Sequence, residues 1–216
     1  MIKMMNKNEK FVITISRELG SGGRTIGRLL AERLGVPYYD KALIMALQKK
    51  YNLSVEEIER LKGQSVSWWS DFKRVIGLGD SVTPEMYVNR DGDEPELLTT
   101  EAIFKTEKEI LLAMAQEESC VIAGRSGFFI LKKHPNHLNI FIQASMKHRL
   151  ERVMRKQNIS EDEAKKIITK VDKMREEYVK NFAHTSRYDT RNYDLVINMD
   201  DKTEDEAVNL ILKYID

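Results

Sequence analysis

Cysteine is nearly absent: the 216 residues include one, Cys120. No disulfide can form within the chain, and a reducing, cytoplasmic setting is the expectation. Set in the apolar run Cys-Val-Ile-Ala, Cys120 reads as a small buried hydrophobe rather than a nucleophile. Charge of one sign is lacking too. The 35 lysines and arginines against 34 acids leave a net charge of +1. That balance argues against bulk nucleic-acid binding but leaves local basic clusters open. Long hydrophobic runs are missing: the longest fall far short of the ~20 residues that span a bilayer. The opening MIKMMNKNEKFVITIS has no apolar stretch of leader length, so no membrane partner is expected. Metal-ligand sets are wanting as well. His134 and His137 form an H-x-x-H pair across a proline loop, with no cysteine or acid to complete it. A metal held by the protein alone is not expected.

What is present is an alternation of strand and helix signals. Phe11–Ser16 is apolar and rich in β-branched residues, and reads as a buried first strand. Ile26, Leu29, Leu30 and Leu34 follow at helical spacing, with Gly35 as a stop. Val36–Asp40 is a short extended segment ending in an acid. Lys41–Lys50 and Ser54–Lys62 read as helices, and Trp68, Trp69 and Phe72 suggest a further one. A stretch loaded with Gly, Pro and Asp runs on to residue 95. Leu98–Glu118 reads as a long amphipathic helix, with Ile103, Glu107, Ile110, Leu111 and Met114 sampling its faces. Cys120–Ala123, Leu138–Gln143 and Leu195–Asn198 read as further strands. Ser145–Gln157 reads as a basic helix. Ser160 with Glu163, and Thr203 with Glu206, have the spacing of capping boxes for the last two helices. In the first of these, Ile167, Val171, Met174 and Tyr178 form the expected apolar stripe. Strands alternating with helices imply an α/β fold with a parallel sheet.

The segment Ile15–Gly27, ISRELGSGGRTIG, carries three glycines in four residues between the first strand and the first helix. A turn needs fewer. In that position backbone N–H groups can form a nest, and the helix N-terminus adds its positive dipole end. Two nucleotide classes remain open on the loop alone. The dinucleotide fingerprint G-x-G-x-x-G would need glycine where Thr25 stands, though Asp40 sits where a ribose-binding acid belongs. The mononucleotide fingerprint G-x-x-x-x-G-K-[ST] would need glycine at Glu18 and lysine at Arg24. Its Gly–basic–Thr ending survives. Thr25 could give its hydroxyl to Mg²⁺, and Arg24 could supply charge to the β- and γ-phosphates.

Arginines favour the mononucleotide class, because phosphoryl transfer must neutralise several negative charges in a dry site. Arg125, in AGRSG, follows the strand Cys120–Ala123, where parallel sheets bind ligands. Arg149, Arg152 and Arg155 recur every three residues and share a helix face. Arg175 lies inside a core-seeking stripe. Arg187 and Arg191 bracket Tyr-Asp-Thr in a loop before the last strand.

Over residues 11 to 216 the chain resembles the cytidylate kinase-like family, a branch of the P-loop nucleoside monophosphate kinases. ITISRELGSGGRTIGRLLAERLGVPYYDKALI is similar to that branch's opening, where an SR-x-x-GSGG-R loop replaces the lysine-bearing one. VIAGRSGFFIL, NIFIQASMKHRLERVM and RNYDLVIN are similar to later segments of the family. The resemblance implies a P-loop NTPase-like parallel sheet flanked by helices, in one domain over residues 1–216. A helical acceptor-binding insert would cover about 41–118 and a lid about 150–162. It implies ATP and Mg²⁺ as cofactors and small-molecule nucleotides as partners, and leaves oligomerisation open.

Carried over by residue, Gly20, Ser21, Gly22, Gly23, Arg24 and Thr25 would hold the ATP phosphates, with Thr25 at the Mg²⁺. Arg24, Arg152, Arg155 and Arg175 would serve catalysis. Arg17, Asp40, Arg125, Arg187 and Arg191 would contact the acceptor. Two positions depart from the family: Arg24 stands for the loop lysine, and Ser126 for the acid after the Gly-Arg pair. The implied activity is transfer of the ATP γ-phosphoryl group to a nucleoside monophosphate, cytidylate-like. A nucleotide-binding regulator with little or no turnover is the alternative, and an NAD(P)-dependent oxidoreductase a third.

Overall fold

The computed structural model describes residues 5–40 and 101–216. Among them five strands make one sheet in which every pairing is parallel. The strands are β1 (Val12–Arg17), β2 (Tyr38–Asp40), β3 (Cys120–Ala123), β4 (His137–Gln143) and β5 (Leu195–Asn198), in the spatial order β2-β3-β1-β4-β5. β1 lies at the centre. Its Val12 is level with Cys120 of β3 on one side and His137 of β4 on the other.

The two-residue period of β1 sorts its side chains between two cores. Ile13 and Ile15 face helix α1 (Gly23–Leu34) and the C-terminal helix α6 (Glu204–Ile215). That layer buries Ile26, Leu30, Val208, Ile211 and Ile215 against Val121, Ile140 and Ile142. Val12 faces the other way, with Cys120 and Ile122, into a layer built by Ile110, Leu111 and Met114 of α2 (Glu101–Glu117). The short helix α3 (Gly127–Ile130) and Leu131 close that layer. Leu30 has no exposed surface; truncating such a side chain to alanine costs about 3 kcal/mol. Cys120 is also fully buried, as its apolar setting implied.

Beyond β4 the chain forms α4 (Met146–Gln157) and α5 (Glu161–Ala183), which pack on each other through Leu150, Val153, Ala164 and Ile168. Both expected capping boxes are made. Ser160 Oγ accepts from the Glu163 amide while Glu163 reaches back to the Ser160 amide, and Thr203 and Glu206 do the same for α6. The buried stripe of α5 differs from the expected one. Ala164, Ile168, Asp172, Val179 and Ala183 are buried, whereas Ile167, Val171, Met174 and Tyr178 are half-buried. Hydrophobicity alone pointed to the larger residues. Two alanines instead let the helix approach closely, and Asp172 is buried because cations surround it. The four-residue α3 and a single turn at Thr190–Asn192 have no clear sequence signal. The helices expected at Lys41–Lys50 and Ser54–Lys62, and the tryptophans Trp68 and Trp69, lie outside the described residues. Among the described residues no helix is long and apolar enough to cross a membrane.

Candidate nucleotide site

All strands being parallel, their C-terminal ends share one edge of the sheet. Between β1 and β4 the chain switches sides, and such a switch opens a crevice beyond the strand ends. The glycine loop lies there, leaving β1 at Arg17 and entering α1 at Gly23. Gly20 has φ +85°, and a Cβ on it would lie 2.8 Å from the Arg149 carbonyl oxygen. A side chain is therefore barred twice, by conformation and by space. The Ser21 amide and hydroxyl both turn inward to the Glu18 carbonyl, at 3.3 and 2.9 Å.

The amides of Gly20, Gly22, Gly23 and Thr25 meet no acceptor among the described residues. The start of α1 contrasts with the starts of α5 and α6. Those helices carry three acids in the first turn and a side-chain cap; α1 carries no acid there, and Gly22 offers no cap. Its orphan donors and positive dipole end are left for an anion.

The arginines divide into those at the loop and those away from it. Arg152 reaches over Gly22. It donates to Thr25 Oγ1 at 3.1 Å and pairs with Glu204 at the start of α6. Burial raises the Glu204 pKa, but the helix-end amide and Arg152 outweigh it, and the net shift is downward. Arg152 and Arg155 line a cleft of about 180 Å³ with Ser21, Met199, Lys202 and Glu204. Arg24 turns instead to the end of β2, where its Nε lies 2.9 Å from the buried Asp40 carboxylate. The side-chain position expected for the loop cation thus joins the position expected for the acceptor acid. Arg17 extends from the end of β1 and packs its guanidinium against Gly124.

A second cluster braces the loop from behind. Arg149, buried, donates from Nε to the Leu19 carbonyl at 2.7 Å, pairs with Glu18 at 3.2 Å, and bonds Asp172. Asp172 accepts from the Leu19 amide at 3.0 Å. The same carboxylate takes Arg187 at 3.4 Å and Arg175 at 3.6 Å. Both of these arginines also reach the Arg17 carbonyl. Arg187 lies over the Phe141 ring, 5.9 Å from its centre. Arg191 stays apart: it is exposed and forms a two-bond pair with Asp189 of its own loop, at 2.8 Å each.

Arg125 is buried beyond β3, its Nη1 2.8 Å from Glu107 of α2. His137, half of the H-x-x-H pair, sits 3.0 Å from Thr14 Oγ1. No group of three or more histidine, cysteine or acidic residues that could hold a metal occurs among the described residues.

A sheet of this order, a glycine loop after its central strand and a bare helix start together make an α/β fold suited to an anion at that edge. The family model described as cytidylate kinase-like matches residues 12–201. The chain belongs to the cytidylate kinase-like family. A cytidylate kinase of Pyrococcus horikoshii is 28% identical over 207 residues, which cover 95% of this chain and 88% of that protein. An uncharacterised protein of Eubacterium ventriosum superimposes with a TM-score of 0.69 at 25% identity, covering 95% of this chain and 98% of the other. Membership in the cytidylate kinase-like family, on a parallel sheet flanked by helices, supports a nucleotide-kinase phosphotransferase.

Within that family frame, sequence reasoning overlooked Glu18, Asp172, Glu204 and the role of Glu107. An acid inside an apolar stripe was the available signal. Glu107 and Asp172 both break such stripes, and each is buried against arginine.

Proposed function

We propose that the chain moves the γ-phosphoryl group of ATP, bound with Mg²⁺, to a nucleoside monophosphate, with cytidylate the first acceptor to test. One observation carries the reading: the uncapped, acid-free start of α1, with open amides at Gly22, Gly23 and Thr25, beside Arg152 in a chain of this family. The triphosphate lies on these amides, and the cleft between α4 and the loop after β5 receives the rest of the nucleotide. Arg152 and Arg155 supply charge from α4, and Arg175 from α5. Arg24 reaches the phosphates by exchanging Asp40 for them. The acceptor occupies the side marked by Arg17, Asp40, Arg125 and Arg187, with Arg191 closing from its loop.

Thr25 is the side chain suited to Mg²⁺. Its hydroxyl accepts from Arg152 and would hold an Mg²⁺ that comes with ATP and its own waters. When bound, the ion would supply neutralisation of phosphate charge. The protein positions the two substrates so that the acceptor's phosphate oxygen lies in line with the γ-phosphorus. The new P–O bond forms as the bond to the β-phosphate oxygen breaks, leaving ADP and a nucleoside diphosphate.

A regulator that binds nucleotide without turnover is favoured by one observation, the pairing of Arg24 with Asp40 at 2.9 Å. Purified protein with MgATP and CMP, dCMP, UMP or AMP separates the two. The kinase reading expects ADP only when an acceptor is present. ATP binding by calorimetry with no ADP across the panel supports the regulator instead.

A further inference from the structure

Two neighbouring residues after β3 bury polar atoms that no described residue satisfies. Arg125 is 8% exposed and Ser126 is 5% exposed. Among the described residues, Arg125 Nε and Nη2, and Ser126 Oγ, have no hydrogen-bond partner. Buried polar groups are nearly always bonded, so three such atoms on adjacent residues mark a place meant for something else. The backbone agrees. Arg125 has φ +57° and Ser126 +51°, a left-handed conformation that costs non-glycine residues energy and clusters at functional sites. Nε and Nη2 are the two donors on one edge of the guanidinium, spaced for two adjacent acceptor atoms.

The other side of Arg125 is held. Nη1 lies 2.8 Å from Glu107 Oε1, and Glu107 has no exposed surface. Tyr178 of α5 donates its hydroxyl to Glu107 Oε2 at 2.8 Å. The Tyr178 ring is gripped in turn: it meets Phe104 edge-on at 5.9 Å and Phe182 at 5.0 Å, while Phe104 stacks on Phe182 at 4.3 Å. Burial, followed by the Glu107 charge, pushes the Tyr178 phenol pKa well up, so it stays a donor. Three elements, α2, α5 and the turn after β3, therefore converge on one guanidinium.

We propose that Glu107 and Tyr178 are positioning residues for Arg125, fixing its guanidinium so that the Nε–Nη2 edge receives two adjacent acceptor atoms of the acceptor substrate. The proposal rests on the kinase reading for the identity of that substrate. Phosphate oxygens and the carbonyl and ring nitrogen of a pyrimidine share this chemistry.

The test uses the whole chain with calorimetric titration of CMP and of ATP separately. Tyr178→Phe keeps the aromatic packing and removes only the hydroxyl. It is expected to weaken CMP binding about tenfold, the worth of one hydrogen bond to a charged group, and to leave ATP binding unchanged. Glu107→Gln is expected to act in the same direction. Adding Tyr178→Phe to Arg125→Lys is expected to cost little further, because the hydroxyl acts through the guanidinium. Unchanged CMP affinity, equal loss of ATP and CMP affinity, or full additivity with Arg125→Lys each overturns the proposal. Competition by inorganic phosphate and by cytidine separates the two acceptor pairs: a Tyr178→Phe effect on either one supports the positioning. If CMP binds and responds to Tyr178→Phe but no acceptor is phosphorylated, the kinase reading falls and this one stands. Turnover with a CMP affinity indifferent to Tyr178 and Glu107 gives the reverse. Failure of CMP, UMP and AMP alike to bind the unaltered protein overturns both.

Discussion

Asp172 and Arg149 are ion-paired and nearly buried, yet removing one should cost more than removing the other. Asp172 is the carboxylate shared by Arg149, Arg175 and Arg187. Asp172→Asn keeps an oxygen for the Leu19 amide but cancels the negative charge. Arg149 then keeps Glu18, while Arg187 and Arg175 lose the carboxylate they share, and the three side chains are only 4–24% exposed. Breaking a buried pair by deleting one partner costs about 3–5 kcal/mol, and the shared carboxylate belongs at the upper end. Arg149→Met removes one cation of three. Asp172 retains Arg187 and Arg175, and Glu18 loses its cation but keeps the Ala144 amide, so with the lost bond to the Leu19 carbonyl the cost falls to about 2–3 kcal/mol. For a chain of this size the difference separates the midpoints of thermal unfolding by roughly 5 °C. Urea unfolding at neutral pH, with equal slopes for the two variants, measures the order directly. If Arg149→Met proves as costly as Asp172→Asn, or costlier, the shared-carboxylate account is wrong.

Gly20→Ala places a Cβ 2.8 Å from a backbone oxygen at φ +85°; stability should fall by more than about 1 kcal/mol and ATP binding should be lost, both read from thermal unfolding with and without ATP. Unaltered ATP protection would count against the loop as the phosphate seat. Tyr178 should resist ionisation in the folded chain, its pKa being raised chiefly by burial. The unfolded chain gives up that proton above about pH 10 while the folded chain keeps it, so stability is full below that pH and declines above it. Tyr178→Phe should flatten the decline, as followed by unfolding at stepped alkaline pH.

The elements were legible where local chemistry and period agree. The β3 and β5 boundaries match their apolar runs, and Ser160–Glu163 and Thr203–Glu206 announce the α5 and α6 starts, because a capping box is written within four residues. The loop was legible because three glycines need a reason. What escaped depends on partners far apart in sequence. Nothing near Arg24 indicates that it turns to Asp40 rather than over the loop, since that choice belongs to the packing of α1 on β2. Arg149 looked like one of three arginines on a charged face; in the structure it faces inward while Arg155 stays exposed. An i, i+3 spacing cannot say which member of a row points at the core.

β1 has its neighbours far along the chain, its Val12 standing level with Cys120 of β3 and His137 of β4. Neither flank exists until β3 and β4 have left the ribosome. A fragment ending before β4 would carry every glycine of the loop and still lack the wall against which Glu18 and Leu19 are set. Nucleotide affinity should therefore arrive late and all at once during folding, which makes it a gauge of how many molecules in a preparation are fully assembled.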